Sequence, residues 1–402
     1  MHARLLALVV AALPATITQA QPPGAVGDLA EGQGKELVQT VCFGCHTAFN
    51  IVGSAGYDSP AQWRAVFDTM IDLSDAQANT IASYLAEHYP AKPGREPVLV
   101  SGPVEIDIKE WQAPTLGQRS RDPVEAPDGS IWWTGMYASL IGRLDPQTGE
   151  MEEYRLPVSA RPHSIVPDAE GNIWYTGNSN GTIGKLDPKT GLVTQFPTQA
   201  GDPHSAAFHP NGKLYFTAQQ SGMLGMLDPA TGALKEVQTE PRPYGIQVAA
   251  NGTVWVAYNG TNKIGAVDPE TLDVKYYDIP NAESRIRRLG LDSKGFVWYV
   301  NGTQGKVGRL DPATGDVKEW DSPSGARSQP YALAVIDDKI WYNESGMRPD
   351  TLVRFDPETE SFQSWAIPSG VGIVRNMWVT RDKNLLIHQS STNKIGLVTI
   401  RD

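Results

Sequence analysis

The sequence predicts an all-β seven-bladed β-propeller preceded by a small all-α domain. The first observation is a segment that keeps returning. IGKLDPKTG at Ile183–Gly191 recurs as IGRLDPQTG from Ile141, LGMLDPATG from Leu224, IGAVDPETL from Ile264, VGRLDPATG from Val307 and LVRFDPETE from Leu352. Its aspartates Asp145, Asp187, Asp228, Asp268, Asp311 and Asp356 are 42, 41, 40, 43 and 45 residues apart. A further copy starts at Ile395, and the chain ends before its Asp-Pro. Such a period marks a unit that cannot bury its own face and must stack on its neighbours. The second observation is the pattern inside each unit. In the second unit it reads as four short strands, HSIVPD, NIWYTG, GTIGKLD and VTQFP, separated by Gly and Asp-Pro turns. Four strands per unit make a propeller blade, and counting the aromatic strands gives seven.

Composition narrows the partners. The net charge of −11 argues against nucleic acid, which needs a basic face. Residues 1–20 have a basic start (His2, Arg4), an apolar run from Leu5 to Leu13 and a small-residue end at Thr18-Gln19-Ala20. That is the form of a cleavable signal peptide, too short to span a bilayer. With no Cys directly at the cleavage point and no later membrane-spanning run, no membrane anchor is expected. The mature protein is expected to be periplasmic or secreted.

The third observation defines the first domain, residues 30–90. The two cysteines of the chain stand in Cys42-Phe43-Gly44-Cys45-His46. Thiols at that spacing reach both vinyl groups of one porphyrin, and the next side chain, His46, then ligates the iron. The competing reading is a disulfide with a histidine beside it by chance. Around the motif, Gly34–Val41 reads as a helix and Ser59-Pro60 as a helix start. Trp63, Val66, Phe67 and Met70 follow at i, i+3, i+4 and i+7, one apolar face. Ser74–Gln77 has capping-box form ahead of Ile81, Tyr84 and Leu85. Met70 is the expected sixth ligand of the iron, with core packing as its bland alternative and His88 as runner-up. The domain resembles the small monohaem cytochrome c family, on the strength of the five-residue motif, which implies one covalent haem c.

Residues 91–103, with Pro93, Gly94, Pro97, Gly102 and Pro103, read as a linker, and residues 104–402 as the propeller. VEIDIKEWQAP from Val104 matches the outer strand DVKEWDSP from Asp316. The N-terminal strand is therefore expected to close the last blade and remove an exposed edge.

Aligned on the aromatic strand, the blades place Trp132, Trp174, Tyr215, Trp255, Trp298, Trp341 and Leu386 in register as core wedges. Eleven residues earlier stand Arg121, His163, His204, Tyr244, Arg287 and Arg375, while Tyr331 stands ten before Trp341. A packing position would be apolar or small, so this set reads as a polar ring around one opening. Gln219, Tyr258, Asn301, Glu344 and His388, in the loops after the aromatic strands, are expected on the same face. Three guanidiniums suit a carboxylate- or phosphate-bearing ligand.

Over residues 104–402 the segments RPHSI, DPHSAAF, RPYGI, NIWYTG and IGKLD resemble the virginiamycin B lyase (streptogramin lyase) family. That resemblance implies a seven-bladed propeller opening a cyclic depsipeptide by elimination, with a His base and Mg²⁺ held by acidic residues. His204, in Asp202-Pro203-His204, would inherit the base, with His163 second. The family's W-F-T-E segment stands here as WWTG, WYTG and YFTA, and its acid survives as Glu344 in WYNE. Mg²⁺ wants several hard oxygen ligands. An elimination also makes no use of a haem. The sequence therefore favours an exported electron-transfer protein whose propeller binds a redox partner protein or an anionic small-molecule substrate. A carbon–oxygen lyase with an accessory cytochrome, or a non-catalytic binding propeller, is the alternative.

Overall fold

The structure, a computed structural model, describes residues 29–43, 48, 51, 57–90, 94–157 and 160–401. Seven four-stranded antiparallel sheets form the propeller. In the first blade the strands run Ser120–Glu125, Ile131–Gly135, Leu140–Leu144 and Met151–Arg155, from the centre outwards. The last blade is built from both ends of the chain. Glu105–Gln112 pairs antiparallel with Lys394–Arg401, in register from Glu105↔Arg401 to Gln112↔Lys394. Ile106 and Ile108 of that strand pack into the cluster around Leu385, Ile387 and Val398.

The recurring segment has a physical reason at each position. Its glycine makes room for a ring: a Cβ at Gly142 would collide with Trp133, at Gly184 with Tyr175, at Gly225 with Phe216 and at Gly308 with Tyr299. Its aspartate closes the turn, Asp145 Oδ1 accepting from the Gln147 and Thr148 amides at 2.8 and 3.3 Å. The aligned aromatics stack on the outer strands, Trp174 on Phe196 at 5.6 Å and Trp341 on Trp365 at 5.5 Å between centroids.

Before the propeller, the described residues form α1 (Lys35–Cys42), α2 (Pro60–Phe67) and α3 (Asp75–His88). Ser59 with Gln62, and Ser74 with Gln77, form capping boxes at the starts of α2 and α3. Val38, Trp63, Val66, Phe67, Ile81 and Leu85 share one buried cluster. The helical repeat predicted to run to Met70 ends at Phe67. Met70 lies beyond it, 40 % exposed, where a Cβ at Gly117 would collide with its methyl.

Antiparallel alternation puts the start of each inner strand, the loop after each second strand and the end of each outer strand on one face. The helical segment meets the propeller on that face. Tyr57 Oη donates to the Ser391 carbonyl at 2.7 Å and accepts from Asn393 Nδ2 at 3.0 Å. Leu116, just past Gln112, packs against the helical core. From there the chain descends along the sixth blade. The Arg348 amide donates to Arg95 O at 2.8 Å, the Val100 amide to Ser364 Oγ at 2.9 Å and Gln363 Nε2 to Val104 O at 2.6 Å.

Candidate functional site

Six of the seven predicted ring positions lie at the starts of the inner strands, with Arg375 three residues before Trp378–Val379, and the backbone of His163, His204 and Tyr244 is held from two sides. In four blades a proline, Pro162, Pro203, Pro243 or Pro330, precedes the ring residue, and the ladder register shifts just after it. The preceding blade supplies the second restraint. Thr134 Oγ1 donates to the His163 carbonyl at 3.2 Å, Thr176 Oγ1 to that of His204 at 2.9 Å and Thr217 Oγ1 to that of Tyr244 at 2.8 Å. The threonine of WWTG, WYTG and YFTA thus fixes the next blade's ring residue.

The structure brings these side chains together. His163 lies over His204 with centroids 3.6 Å apart, and His204 over Tyr244 at 4.1 Å. The Tyr244 and Tyr331 hydroxyls share a short hydrogen bond. Arg287 stands over the Tyr331 ring at 4.7 Å and Arg375 at 5.5 Å, with Arg375 Nη1 3.5 Å from Tyr331 Oη. Arg121 is buried beside them with no partner for its Nε.

Burial first, then neighbouring Arg121 and His204, hold the His163 imidazole well below its ordinary range. Burial, then Arg288 and Arg121, do the same to His204. Both are neutral. The tyrosines divide. Burial raises Tyr244, and the Tyr331 charge adds to it, to about 12. Burial also raises Tyr331, but Arg375, Arg287, Arg121 and the Tyr244 hydrogen bond outweigh it and bring the phenol to about 7. Tyr244 therefore keeps its proton and donates, and Tyr331 carries the negative charge when the pair ionises.

A deeper layer was missed by the sequence reading. The register shift turns the residue after the ring position inwards too in the blades of Arg121, His204 and Arg287. Arg288 Nη1 donates to Ser205 Oγ at 3.1 Å, its Nε to Arg375 O at 3.0 Å, and its Nη2 stands 3.5 Å from Asp122 Oδ1. Asp122 is fully buried and its Oδ2 has no partner. The doublet Arg287-Arg288 was the available signal, because a regular strand would send one of two successive arginines away from the channel. Below this layer the central channel holds about 260 Å³, lined by Ser205, Gly245, Arg288, Asn376 and Trp378 among others.

Two expected ligand-binding residues are spent elsewhere. Glu344 is fully buried; its oxygens accept from Ser322 Oγ, the Ser324 amide, Ser324 Oγ and Thr351 Oγ1 at 2.6–2.9 Å. His388 donates from Nδ1 to the Ser120 carbonyl at 2.7 Å and accepts at Nε2 from the Arg375 amide at 3.0 Å. It is a neutral brace for Arg375, kept so by burial and by Arg121. Of the other loop residues expected on this face, Asn301 is bonded to Ser284 and Glu319, and the Tyr258 hydroxyl meets Thr239.

In the helical segment, Cys42 ends α1 and packs against the core. Cys45 and His46 lie outside the described residues. His88 ends α3 with its ring 4.7 Å from that of Tyr84.

The virginiamycin B lyase family model matches residues 104–227 and 230–402. The chain belongs to the virginiamycin B lyase family. Its propeller is similar in fold to a streptogramin B lyase structure, with TM-score 0.66 at 23% identity over 74% of this chain and 98% of that one. It is equally similar to the virginiamycin B lyase of Staphylococcus aureus, at 20% identity over 73% and 99%, TM-score 0.66. A catalytically inactive histidine-to-alanine variant of that enzyme with quinupristin gives 0.66 at 21% identity, over 73% of this chain and 99% of that one. No curated protein matches the chain. The Mg²⁺ that the family resemblance implies does not fit the residues present. Both Glu344 oxygens are taken, and no group of three or more His, Cys, Asp or Glu among the described residues could hold a metal ion.

Proposed function

We propose that the chain is an exported c-type cytochrome whose family propeller binds a small anionic substrate or a redox partner's acidic group at the ring, beneath the helical segment. Cys42 and Cys45 would hold haem c covalently, and His46 and Met70 would supply ligands to its iron. Bound there, the group supplies single-electron transfer. The described residues fit such a group. Cys42 lines an apolar cluster, and the Trp63 indole N–H is buried with no partner among the described residues, a donor where a carboxylate could be received.

The observation that carries the reading is the contact between Met70 and Gly117. Gly117 lies four residues before Arg121, so chain geometry keeps that contact within about 14 Å of the ring. The ring residues then bind and orient the ligand: Arg287 and Arg375, half-buried, form the entrance, and Arg121 the buried end. The test is a reduced-minus-oxidised spectrum of the purified protein, followed by reduction with candidate anionic substrates in wild type and Arg287→Gln. Absence of a c-type spectrum in exported protein ends the reading.

Family membership speaks more directly for a second reading, a carbon–oxygen lyase. His204 is neutral and hydrogen-bonded through Nδ1 to Ser205 Oγ at 3.1 Å, the state an imidazole base requires. Ring opening of a streptogramin B antibiotic that is lost in His204→Ala, with haem content unchanged, would select it over the first.

A further inference from the structure

The ring gathers more positive charge than the protein itself neutralises. Around the Tyr244–Tyr331 pair stand Arg287 and Arg288 from the fifth blade, Arg375 from the seventh, and Arg119 and Arg121 from the first, with Asp122 beside Arg288. His163, His204 and Tyr244 complete the wall; His388 and the buried Asp350 stand behind Arg375. Among the described residues Asp122 is the one carboxylate in the wall, and it sits 3.5 Å from Arg288. The histidines are held neutral, so they neither add charge nor cancel it. Arg121, Arg287 and Arg375 are left without a carboxylate, and buried unpaired charge is costly. Tyr331 is the one wall group left that can supply a negative charge. Its hydroxyl receives the Tyr244 hydrogen bond, and two guanidiniums stand over its ring.

This rests on the reading of the ring as an anion site and says how that site works. We infer that the ring is a proton-linked oxyanion site, in which a carboxylate or tetrahedral oxyanion held by Arg121, Arg287 and Arg375 replaces the phenolate of Tyr331, and Tyr331 takes up one proton as the anion binds. The geometry leaves little room for both charges. Arg287 and Arg375 that would clamp the ligand are the two packed over Tyr331, and a second anion beside its oxygen would be repelled. Arg121 offers an Nε–H that no group among the described residues accepts. Arginine presents paired donors that suit planar and tetrahedral oxyanions. Above about pH 7 the free site holds its own anion, so a ligand must pay for protonation of Tyr331. Below it, the ligand meets a neutral phenol.

The test is calorimetric titration of the full-length protein with acetate and with sulfate, neither of which titrates in the range used. Paired buffers of different ionisation enthalpy count the protons. At pH 8 about one proton should be taken up per anion bound, and at pH 6 close to none; the Kd should rise about tenfold per pH unit above 7. Tyr331→Phe should bind the anion with no proton uptake and a flat pH profile. Arg287→Gln and Arg375→Gln should each weaken binding at least tenfold. The two anions separate planar from tetrahedral preference. Should Tyr331→Phe fail to fold, the titration of tyrosinate absorption in wild type serves instead: saturating sulfate should move it up by at least one pH unit. Binding without proton uptake, or uptake that persists in Tyr331→Phe, overturns the inference and leaves the anion site standing. Failure of both anions to bind removes the site and the inference together.

Discussion

Tyr57→Phe tests whether the helical segment is held on the ring face by the contacts described. The Tyr57 ring packs on Trp63 at 5.0 Å and would be kept by Phe. What is lost is one hydroxyl that donates to Ser391 O and accepts from Asn393 Nδ2. Asn393 would not be orphaned, because Nδ2 also reaches Ser391 O at 3.3 Å and Oδ1 accepts the Arg119 amide at 2.8 Å. The cost is therefore that of ordinary hydrogen bonds without an added desolvation penalty, about 1–2 kcal/mol. That corresponds to roughly 5- to 30-fold in the docked-to-undocked ratio. Native-state hydrogen exchange reads it. Protection should fall by about that factor at residues 57–90 and in the loops around Leu116 and Asn393, while the second strands of the blades keep theirs. The pH dependence has a definite sign. Burial raises the Tyr57 phenol to about 12, above its exposed value of about 10. Its contribution to docking is thus complete below pH 10 and lost as pH rises through 12, so protection should not change with pH between 6 and 9 on this account. Unchanged protection in Tyr57→Phe, or equal loss across the whole propeller, would refute the reasoning.

Deleting residues 104–111 removes the strand that pairs with Lys394–Arg401 and opens a sheet edge; a markedly lower unfolding temperature and concentration-dependent aggregation are expected, read by calorimetry and light scattering. Gly184→Ala should destabilise by about 1–3 kcal/mol in denaturant unfolding, because the new methyl meets the Tyr175 ring inside a packed blade. If the chain carries haem c as proposed, Met70→Ala should abolish the Fe–Met absorption band of the oxidised protein; an unchanged spectrum, with His88→Ala altering it, would transfer the sixth ligand to His88.

The repeated part of the fold was legible because each blade solves the same packing problem. The glycine of the recurring segment, the turn aspartate and the aromatic wedge each answer a contact made once per blade. The closing strand was legible for the same reason, since Val104–Trp111 copies the outer-strand pattern. The ring itself was found by its departure from apolar packing. What escaped lay where local geometry leaves the period-2 rule. A shift in register turns both Arg287 and Arg288, and both Arg121 and Asp122, towards the channel. The partners of Glu344 and His388 were not legible because sequence gives the strand position of a polar residue but not what it bonds to. The loop neighbours that absorb their hydrogen bonds, Ser322, Ser324 and Ser120, come from distant parts of the chain. Met70 escaped through a helix end, Phe67, that no glycine or proline announces.

Much of the ring is set by backbone restraints that do not depend on the ring side chains. Four of the seven ring residues, His163, His204, Tyr244 and Tyr331, are fixed through the backbone, by the preceding blade's threonine or by a proline before them. Substitution at these positions changes the chemistry of the opening and leaves the ladder intact, consistent with a TM-score of 0.66 at 23% identity. The helical segment is tied to the same scaffold at its one irregular place, the seam where the two chain ends meet. From Tyr57 on the ring face the chain passes down the sixth blade, returns upward as Glu105–Gln112, and ends that strand against Leu116 and Gly117, which touch the helical segment again. Docking and ring closure thus share residues. A substitution that loosens Asn393 acts on both, because its side chain joins Tyr57 to the Arg119 amide two residues from Arg121.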